Sequence, residues 1–194
     1  MQNYVNVIVF DTETNGLEEC SVLSISAIKL SVNKENLKVS EISRFNRYYF
    51  RNPGEEINES AIFVNGLTDL EIEKRRIGEN YAKYFEKDID FLKFCKGCNH
   101  FVAHNIEFDR KFIPFELKHQ FCTKVENVEI LKIPGKYGKY KWPRLNETAF
   151  YYGIVLDENE WHGSEYDTEI CKDIFVAMLE DEETQHLVKK FLEK

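Results

Sequence analysis

A short apolar run near the start of the chain, Val5–Phe10, constrains the fold most strongly because it ends directly in acidic residues. Its β-branched and aromatic side chains are typical of a buried central strand. Asp11 and Glu13 follow, and strand side chains two residues apart point to the same side. The pattern therefore predicts a central strand that presents two carboxylates at one place.

A third carboxylate, Asp109, is predicted to face the core from a helix. The apolar strand Phe101–Ala103 precedes a helical pattern that we place over Ile106–His119. Asp109 lies three and four residues before Phe112 and Ile113, so on a helix it would share their core-facing side. A carboxylate in that position needs a partner.

The fourth carboxylate, Asp167, begins an apolar stripe at helical spacing. The stripe consists of Ile170, Cys171, Ile174, Phe175 and Met178. His162 precedes Asp167 by five residues, which favours a place on the loop with Gly163 and Ser164 rather than on the same helix. From that loop the imidazole could reach back over the acids.

Gathering carboxylates away from water is unfavourable, because burial and like charges both raise their pKa. Bound divalent cations remove both penalties. Oxygen ligands suit Mg²⁺ or Mn²⁺ better than zinc, and two such ions roughly 3.5–4 Å apart can hold the attacking and leaving oxygens of a phosphodiester. The pattern therefore predicts a metal-dependent nuclease.

Each acidic segment also has a purely structural interpretation. Asn15-Gly16 is typical of a hairpin turn, Asn105 is a good helix N-cap, and Asp167 suits the positive end of a helix dipole. The three segments occur together, however, and all of them place acids at strand ends or on core-facing helix stripes. Their combination favours the metal site.

Three motifs resemble those of the DnaQ-like 3′-to-5′ exonucleases, in the group whose third motif carries histidine. They are Asp11-Thr12-Glu13, His104-Asn105-Ile106-Glu107-Phe108-Asp109, and His162-Gly163-Ser164-Glu165-Tyr166-Asp167. Val64–Asp69 and Leu145–Ile154 are similar to further family segments, so the resemblance covers nearly the whole chain. Two residues depart from the usual pattern, Asn65 in place of histidine and Ser164 in place of alanine.

The resemblance implies an α/β fold of the ribonuclease-H-like type and a role for each motif residue. Asp11 would bridge two Mg²⁺ or Mn²⁺ ions, Glu13 and Asp167 would complete one coordination sphere, and Asp109 would hold the second ion. His162 would take a proton from the water that attacks phosphorus. The product would be a nucleoside 5′-monophosphate.

Substrate contacts are predicted in two places. By resemblance, the residues near the acids are Thr14, Asn15, Leu17, Asn105 and Phe108, although Phe108 could equally be a core residue. Farther along, the basic segment Lys132–Arg144 contains no acid and interleaves lysines with aromatic residues, among them Lys139, Lys141 and Trp142. This pattern suits single-stranded nucleic acid, or alternatively a solvated loop whose aromatic side chains pack on the domain.

Composition agrees with one domain over residues 1–194. The chain has a formal net charge of −8 and 43% hydrophobic residues, and no linker or repeat divides it. Its five cysteines suit a reducing compartment, and its apolar runs are too short for a signal peptide or a membrane span. We therefore expect a cytoplasmic protein.

The order of elements predicts a mixed five-stranded sheet flanked by helices. We place strands over Val5–Phe10, Val22–Leu30, Ile42–Phe50, Phe101–Ala103 and Val128–Leu131. Besides Ile106–His119, we place helices after Thr68 and Gly78 and from about Leu145, Asp167 and Thr184.

The function favoured by these patterns is metal-dependent removal of nucleotides from the 3′ end of single-stranded DNA, in proofreading or repair. Three alternatives stay open: an RNA-trimming enzyme of the same family, a single-strand-binding module that does not cut, and a structural cation site. Sugar preference, pathway, oligomeric state and association with a DNA polymerase are not decided by the sequence.

Overall fold

A mixed β-sheet forms the centre of the computed structural model, which describes residues 3–157 and 163–194. Its five strands lie in the order β3-β2-β1-β4-β5. They are β1 (Tyr4–Thr14), β2 (Val22–Asn33), β3 (Val39–Tyr48), β4 (His100–Ala103) and β5 (His119–Cys122). β1 pairs antiparallel with β2 and parallel with β4, and this confirms the predicted mixed sheet.

Helices cover both faces of the sheet. Those described are α1 (Glu59–Asn65), α2 (Asp69–Arg75), α3 (Asp90–Cys95), α4 (Ile106–Asp109), α5 (Thr123–Glu126), α6 (Val128–Leu131), α7 (Leu145–Tyr151), α8 (Ser164–Glu180) and α9 (Gln185–Leu192), with 3₁₀ turns at Phe85–Lys87 and Lys136–Gly138. Within the described ranges, none of these helices is long and apolar enough to cross a membrane.

β1 is buried on both faces, as its composition predicts. Val7 and Val9 pack with α8 and α9 on one face. Ile8 and Phe10 pack with α3 and residues 106–117 on the other face. Because alternate side chains enter opposite cores, neither side of the strand faces solvent between Val7 and Phe10.

The helix predicted over Ile106–His119 is wrong beyond its first turn. α4 ends at Asp109 and continues only as turns, in which the Phe112 N–H donates to the Asp109 carbonyl at 3.1 Å. Pro114 explains the early end, because proline lacks an N–H and keeps the preceding residue out of the helical region.

The fifth strand was also misplaced, because Val128–Leu131 is a short helix and β5 lies at His119–Cys122. β5 pairs parallel with β4 from His119 opposite His100 to Cys122 opposite Ala103. Four residues with two polar side chains carry little strand pattern of their own, so the pairing with β4 determines this conformation.

Apart from the helix predicted after Gly78, the remaining predicted elements agree with the structure within a few residues. β3 begins at Val39 rather than Ile42, and α8 begins at Ser164 rather than Asp167. After Gly78 the chain forms a 3₁₀ turn and then α3, not one helix. Thr68 caps α2, where its hydroxyl accepts from the Glu71 N–H at 3.2 Å.

Substitution of Phe175 measures how much the packing of α8 on the sheet contributes to stability. Its ring is fully buried, with centroids 5.8 Å from Phe121 on β5 and 6.3 Å from Phe191 on α9. Phe175→Ala should lower the free energy of unfolding by about 3–5 kcal/mol, because the core cannot close the cavity completely. Urea unfolding gives this value. Phe150→Ala, which changes an 84% exposed ring on α7, is the control and should have little effect; equal losses in the two variants would contradict the packing described.

Candidate active site

The end of β1 brings the first two carboxylates together. Asp11 and Glu13 lie opposite Ser26 and Ser24 of β2, and the register shifts by one residue immediately after Glu13. Both side chains are half-buried. Since they are two residues apart on a strand, both point to the same side, as the sequence predicts.

The start of α8 brings Asp167 to the same place. The Ser164 hydroxyl lies 2.8 Å from that of Ser24, and the Thr168 hydroxyl donates to the Ser26 carbonyl at 3.3 Å. Ser24 and Ser26 are the β2 partners of Glu13 and Asp11, so these contacts hold the first turn of α8 beside the two acids. One carboxylate oxygen each of Asp11, Glu13 and Asp167 lies within 4.8 Å of the others.

Asp109 approaches the cluster from α4 and is almost fully buried. Its Oδ1 accepts from the Thr12 N–H at 3.1 Å and from the Thr12 hydroxyl at 2.8 Å. Thr12 lies between Asp11 and Glu13 on β1, so these bonds tie the second motif to the first. Thr12 was not predicted as a site residue, because its role depends on a contact with a residue 97 positions away.

The acids raise one another's pKa. Burial raises the pKa of Asp11 well above its usual value, and the charges of Asp109, Glu13 and Asp167 raise it further. Burial and then the charges of Asp167 and Asp109 raise the pKa of Glu13 to about 8. Burial also raises the pKa of Asp109 to about 7, against the opposing effect of the Thr12 hydrogen bonds. The cluster is therefore unfavourable when ionised and not neutralised.

An acidic cluster of this kind can hold a divalent metal ion. Its donors are carboxylate oxygens, the ligands that hard cations such as Mg²⁺ and Mn²⁺ prefer. A bound cation would relieve the repulsion that raises these pKa values. The donor chemistry therefore fits the predicted class of cofactor, a divalent metal ion.

The two departures from the family pattern have structural roles next to the acids. The Asn65 amide donates to the Thr14 carbonyl at 3.1 Å, and the side chain also opposes the rise in the pKa of Glu13. Ser164 makes the contact with Ser24 that positions α8. Both residues therefore make a polar contact at the site.

His162, the predicted general base, lies outside the described residues, so its role stays a prediction. The histidine described near the acids is His104, whose Nδ1 lies 2.9 Å from the Thr123 hydroxyl and whose Nε2 lies 3.3 Å from the Pro143 carbonyl. Burial lowers the pKa of His104 to about 4. It is therefore a neutral group that joins β4 to the segment before α7.

The predicted substrate contacts near the acids lie in different environments. Leu17 is 76% exposed, whereas the buried Asn15 amide donates to Glu55 and to the Glu56 carbonyl. Asn15 therefore stabilises the loop with its side chain. Thr14 is also buried, and its hydroxyl donates to the Gly16 carbonyl at 2.5 Å.

The second motif contributes two further predicted contacts. Asn105 occupies the N-cap position of α4 with a φ of 109°, but its side chain makes no capping hydrogen bond, contrary to the expected cap. Instead its Oδ1 accepts from Lys124 Nζ at 3.2 Å. Phe108 is half-buried with its ring centroid 5.1 Å from that of Phe112.

The basic loop over Lys132–Arg144 is largely exposed. Its three predicted substrate contacts differ in whether the side chain already has a partner in the protein. Lys141 pairs with Glu147 of α7, so its charge is already compensated. Lys139 is exposed. Trp142 is 65% exposed and has Lys124 Nζ 5.0 Å from its ring centroid. Lys124 was not singled out from the sequence, because no local pattern connects it with a tryptophan 18 residues away.

Comparison with known proteins relates the chain to exonucleases. A family model described as Exonuclease (RNase_T) matches residues 8–175. The chain is 28% identical to the DNA polymerase III subunit epsilon of Treponema pallidum over 188 residues, which are 92% of this chain and 79% of that protein. It is 29% identical to DNA polymerase III PolC-type of Staphylococcus aureus over 182 residues, which cover 89% of this chain but only 11% of that protein.

Solved structures share the fold at low sequence identity. Exonuclease X in complex with 5′ overhanging duplex DNA superposes with a TM-score of 0.65 at 15% identity, covering 94% of this chain and 99% of that one. E. coli exonuclease I in complex with a dA13 oligonucleotide gives 0.66 at 12% identity, over 95% and 43% of the two chains. The nuclease domain of 3′hExo, a DEDDh family member bound to rAMP, gives 0.56 at 15% identity, over 93% of each chain.

The raised pKa values predict how the stability of the metal-free protein depends on pH. Between about pH 4.5 and 8 the folded protein keeps a proton on Glu13 that the unfolded chain loses, so the free energy of unfolding falls as pH rises through this range. Glu13→Gln removes this contribution. In EDTA its Tm should exceed that of the wild type more at pH 8.5 than at pH 5, by about 2–4 °C for each kcal/mol of repulsion removed.

Thermal unfolding at the two pH values measures this difference. His104 has a lowered pKa, so it makes the free energy of unfolding rise with pH below the ordinary histidine pKa. This contribution is the same in the wild type and in Glu13→Gln, and it cancels when the two are compared. Glu79→Gln, at an exposed position on the chain, is the matched control. If the Tm difference between Glu13→Gln and the wild type is the same at both pH values, burial and the neighbouring acids do not raise the pKa of Glu13.

Proposed function

The chain belongs to the exonuclease family, as an enzyme of the DnaQ-like 3′-to-5′ type, and we propose that it removes nucleotides from the 3′ end of single-stranded DNA with two bound Mg²⁺ or Mn²⁺ ions. The products are nucleoside 5′-monophosphates. The single observation that carries the proposal is the convergence of Asp11, Glu13 and Asp167 within 4.8 Å. A bound cation would neutralise the repulsion between acids that lie this close together.

The proposed ligands divide between two ions. By resemblance to the family, Asp11 would contribute to both ions, and the charges of three other acids act on it. Glu13 and Asp167 would hold one ion, and Asp109 would hold the second. Bound ions of this type would activate the attacking water and neutralise charge on the phosphate.

Other residues of the chain position these ligands and move the proton. Thr12 orients Asp109 through two hydrogen bonds, and Ser164 holds the start of α8 against β2. We assign the general-base role to His162, whose neutral imidazole would accept the proton of the attacking water. His162 precedes Asp167 by five residues in the sequence, and this short separation supports the assignment.

The terminal nucleotide is proposed to lie between the β1 end and α4. Leu17 is free to press against a base because its side chain is 76% exposed. Phe108 is half-buried at the edge of α4, where one part of its ring packs on Phe112. The backbone near Thr14 and Asn15 is assigned to the 3′-hydroxyl, since the Thr14 side chain already bonds the Gly16 carbonyl and the Asn15 side chain bonds Glu55.

DNA is the substrate that we favour, because both curated relatives are named as parts of DNA polymerase III and exonuclease I is described with a DNA oligonucleotide. These names also extend the proposal to proofreading or repair beside a DNA polymerase. An exoribonuclease is the second candidate, since the nuclease domain of 3′hExo is described with rAMP. The two differ in contacts to the 2′ position of the sugar.

Matched single-stranded DNA and RNA labelled at the 5′ end decide between the candidates. With Mg²⁺ or Mn²⁺, a 3′-to-5′ enzyme produces a ladder of labelled products that shortens by one nucleotide at a time and releases 5′-monophosphates. Faster shortening of RNA would replace the DNA assignment. Binding of either strand without release of mononucleotides would indicate a module that does not cut.

Asp167→Asn should abolish turnover, because it keeps the size of the side chain but removes one ligand charge. The melting temperature in EDTA should stay unchanged or rise, since a source of repulsion is lost. Metal titration followed by Tm separates the two effects: the wild type should be stabilised by Mn²⁺ and the variant less so. Full activity of the variant would remove Asp167 from the ligand set.

His162→Ala should lower kcat by about 10²–10⁴-fold, the usual contribution of a general base. For the wild type, kcat should rise with pH through the ordinary histidine range near 6.5, because only the neutral imidazole accepts a proton. The variant should lose this rise. His186→Ala, on α9, is the control and should keep the wild-type profile; a variant at position 162 with wild-type rate and profile would exclude the assigned role.

A further inference from the structure

A pocket next to the acid cluster is not used by the proposed chemistry. It encloses about 630 Å³ between α8, the start of α7 and the segment after β4. Asn105, Arg144, Leu156 and Asp167 are among its lining residues. Its size is within the range of small-ligand sites, and it opens directly beside the proposed metal ligands.

The walls of the pocket combine apolar surface with positive charge. The apolar part consists of Trp142, Leu145, Leu156, Tyr166 and Ile170, and the cations are Lys124 and Arg144. Asp167 is the one carboxylate among the described lining residues. A ligand with a flat apolar part and an anionic part therefore fits the pocket, if the anion points away from Asp167.

Lys124 is placed before any ligand arrives. Its Nζ donates to Asn105 Oδ1 at 3.2 Å and lies 5.0 Å from the Trp142 ring centroid. Among the described residues these partners are neutral, so they orient the ammonium without cancelling its charge. Its positive charge also acts on Asp109, where it lowers the pKa. The ammonium thus lies within electrostatic reach of the acid cluster.

Hydrogen bonds fix the backbone on both sides of Trp142. His104 bonds the Pro143 carbonyl next to Trp142, and Glu147 accepts from the Arg144 N–H at 2.8 Å while it pairs with Lys141. Pro143 is buried although both of its neighbours are accessible. The tryptophan therefore projects from an anchored backbone, and little ordering would be needed on binding.

We propose that this pocket holds the nucleotide of the strand next to the one being removed, with its base against Trp142 and its phosphate on Lys124 and Arg144. The inference rests on the proposed function. It makes the pocket a second subsite, which requires a strand of at least two nucleotides to be filled together with the acid cluster. Base stacking on an aromatic ring tolerates any sequence, as a general exonuclease requires.

Two substrates separate this subsite from the catalytic centre. A single-stranded oligonucleotide occupies both places, whereas the methyl ester of thymidine 5′-monophosphate has one nucleotide and carries no second ring that could stack on Trp142. Trp142→Ala and Lys124→Met should each raise KM for the oligonucleotide by about tenfold, the loss expected for one stacked base or one phosphate contact. Trp142→Ala should keep the wild-type KM and kcat for the ester. Lys124→Met should raise KM more for the oligonucleotide than for the ester, because the lost charge also acts on Asp109.

Matched variants complete the experiment. Trp142→Phe keeps an aromatic face and should recover most of the lost affinity. Tyr4→Ala and Lys190→Met change an exposed aromatic ring and an exposed cation away from the pocket, and they should leave both substrates unaffected. Equal changes for oligonucleotide and ester in Trp142→Ala, or no change for the oligonucleotide, would overturn the subsite.

A binding measurement distinguishes failure of this subsite from failure of the proposed function. If the wild type hydrolyses neither substrate with Mn²⁺, the proposed function is wrong, but anisotropy of a labelled oligonucleotide with Ca²⁺ in place of Mn²⁺ still tests the pocket. Weaker binding by Trp142→Ala and Lys124→Met, with wild-type binding by the two control variants, supports the subsite. Unchanged binding in all four variants contradicts it.

Discussion

Electrostatic repulsion among four carboxylates is the constraint on which the site depends. Asp11, Glu13 and Asp167 lie within 4.8 Å, and Asp109 acts on Asp11 from α4. Folding brings these charges together only because large apolar surfaces are buried at the same time on both faces of β1. The core thus supplies the free energy that holds an unfavourable cluster in place, and a bound cation would turn the cluster from a cost into a binding site.

Small polar contacts determine where the acids meet. Thr12 joins β1 to α4 through Asp109, and Ser164 joins α8 to β2 through Ser24. Each contact connects segments that are about 100 or more residues apart in the chain. Asn65 adds a third contact at Glu13. Hydroxyl and amide groups around the acids therefore position the carboxylates.

The sequence predicted elements well where the pattern was strong and local. β1, the meander of β2 and β3, and the apolar face of α8 followed from alternation or helical spacing. Prediction failed between Ile106 and Leu131, where Pro114 ends the helical pattern and β5 forms from His119–Cys122. That segment is extended because β4 lies beside it, and a local pattern of four residues cannot report a neighbour 19 positions earlier.

By itself, the sequence determined the fold class, the family motifs and the identity of the four acids, because apolar periodicity and acids at the ends of apolar runs are properties of neighbouring residues. Only the tertiary structure decided that Thr12 holds Asp109, that Lys124 lies over Trp142, and that a pocket opens beside Asp167. These features join residues that are far apart in the chain. Their geometry is set by how the sheet and helices pack, which no local pattern contains.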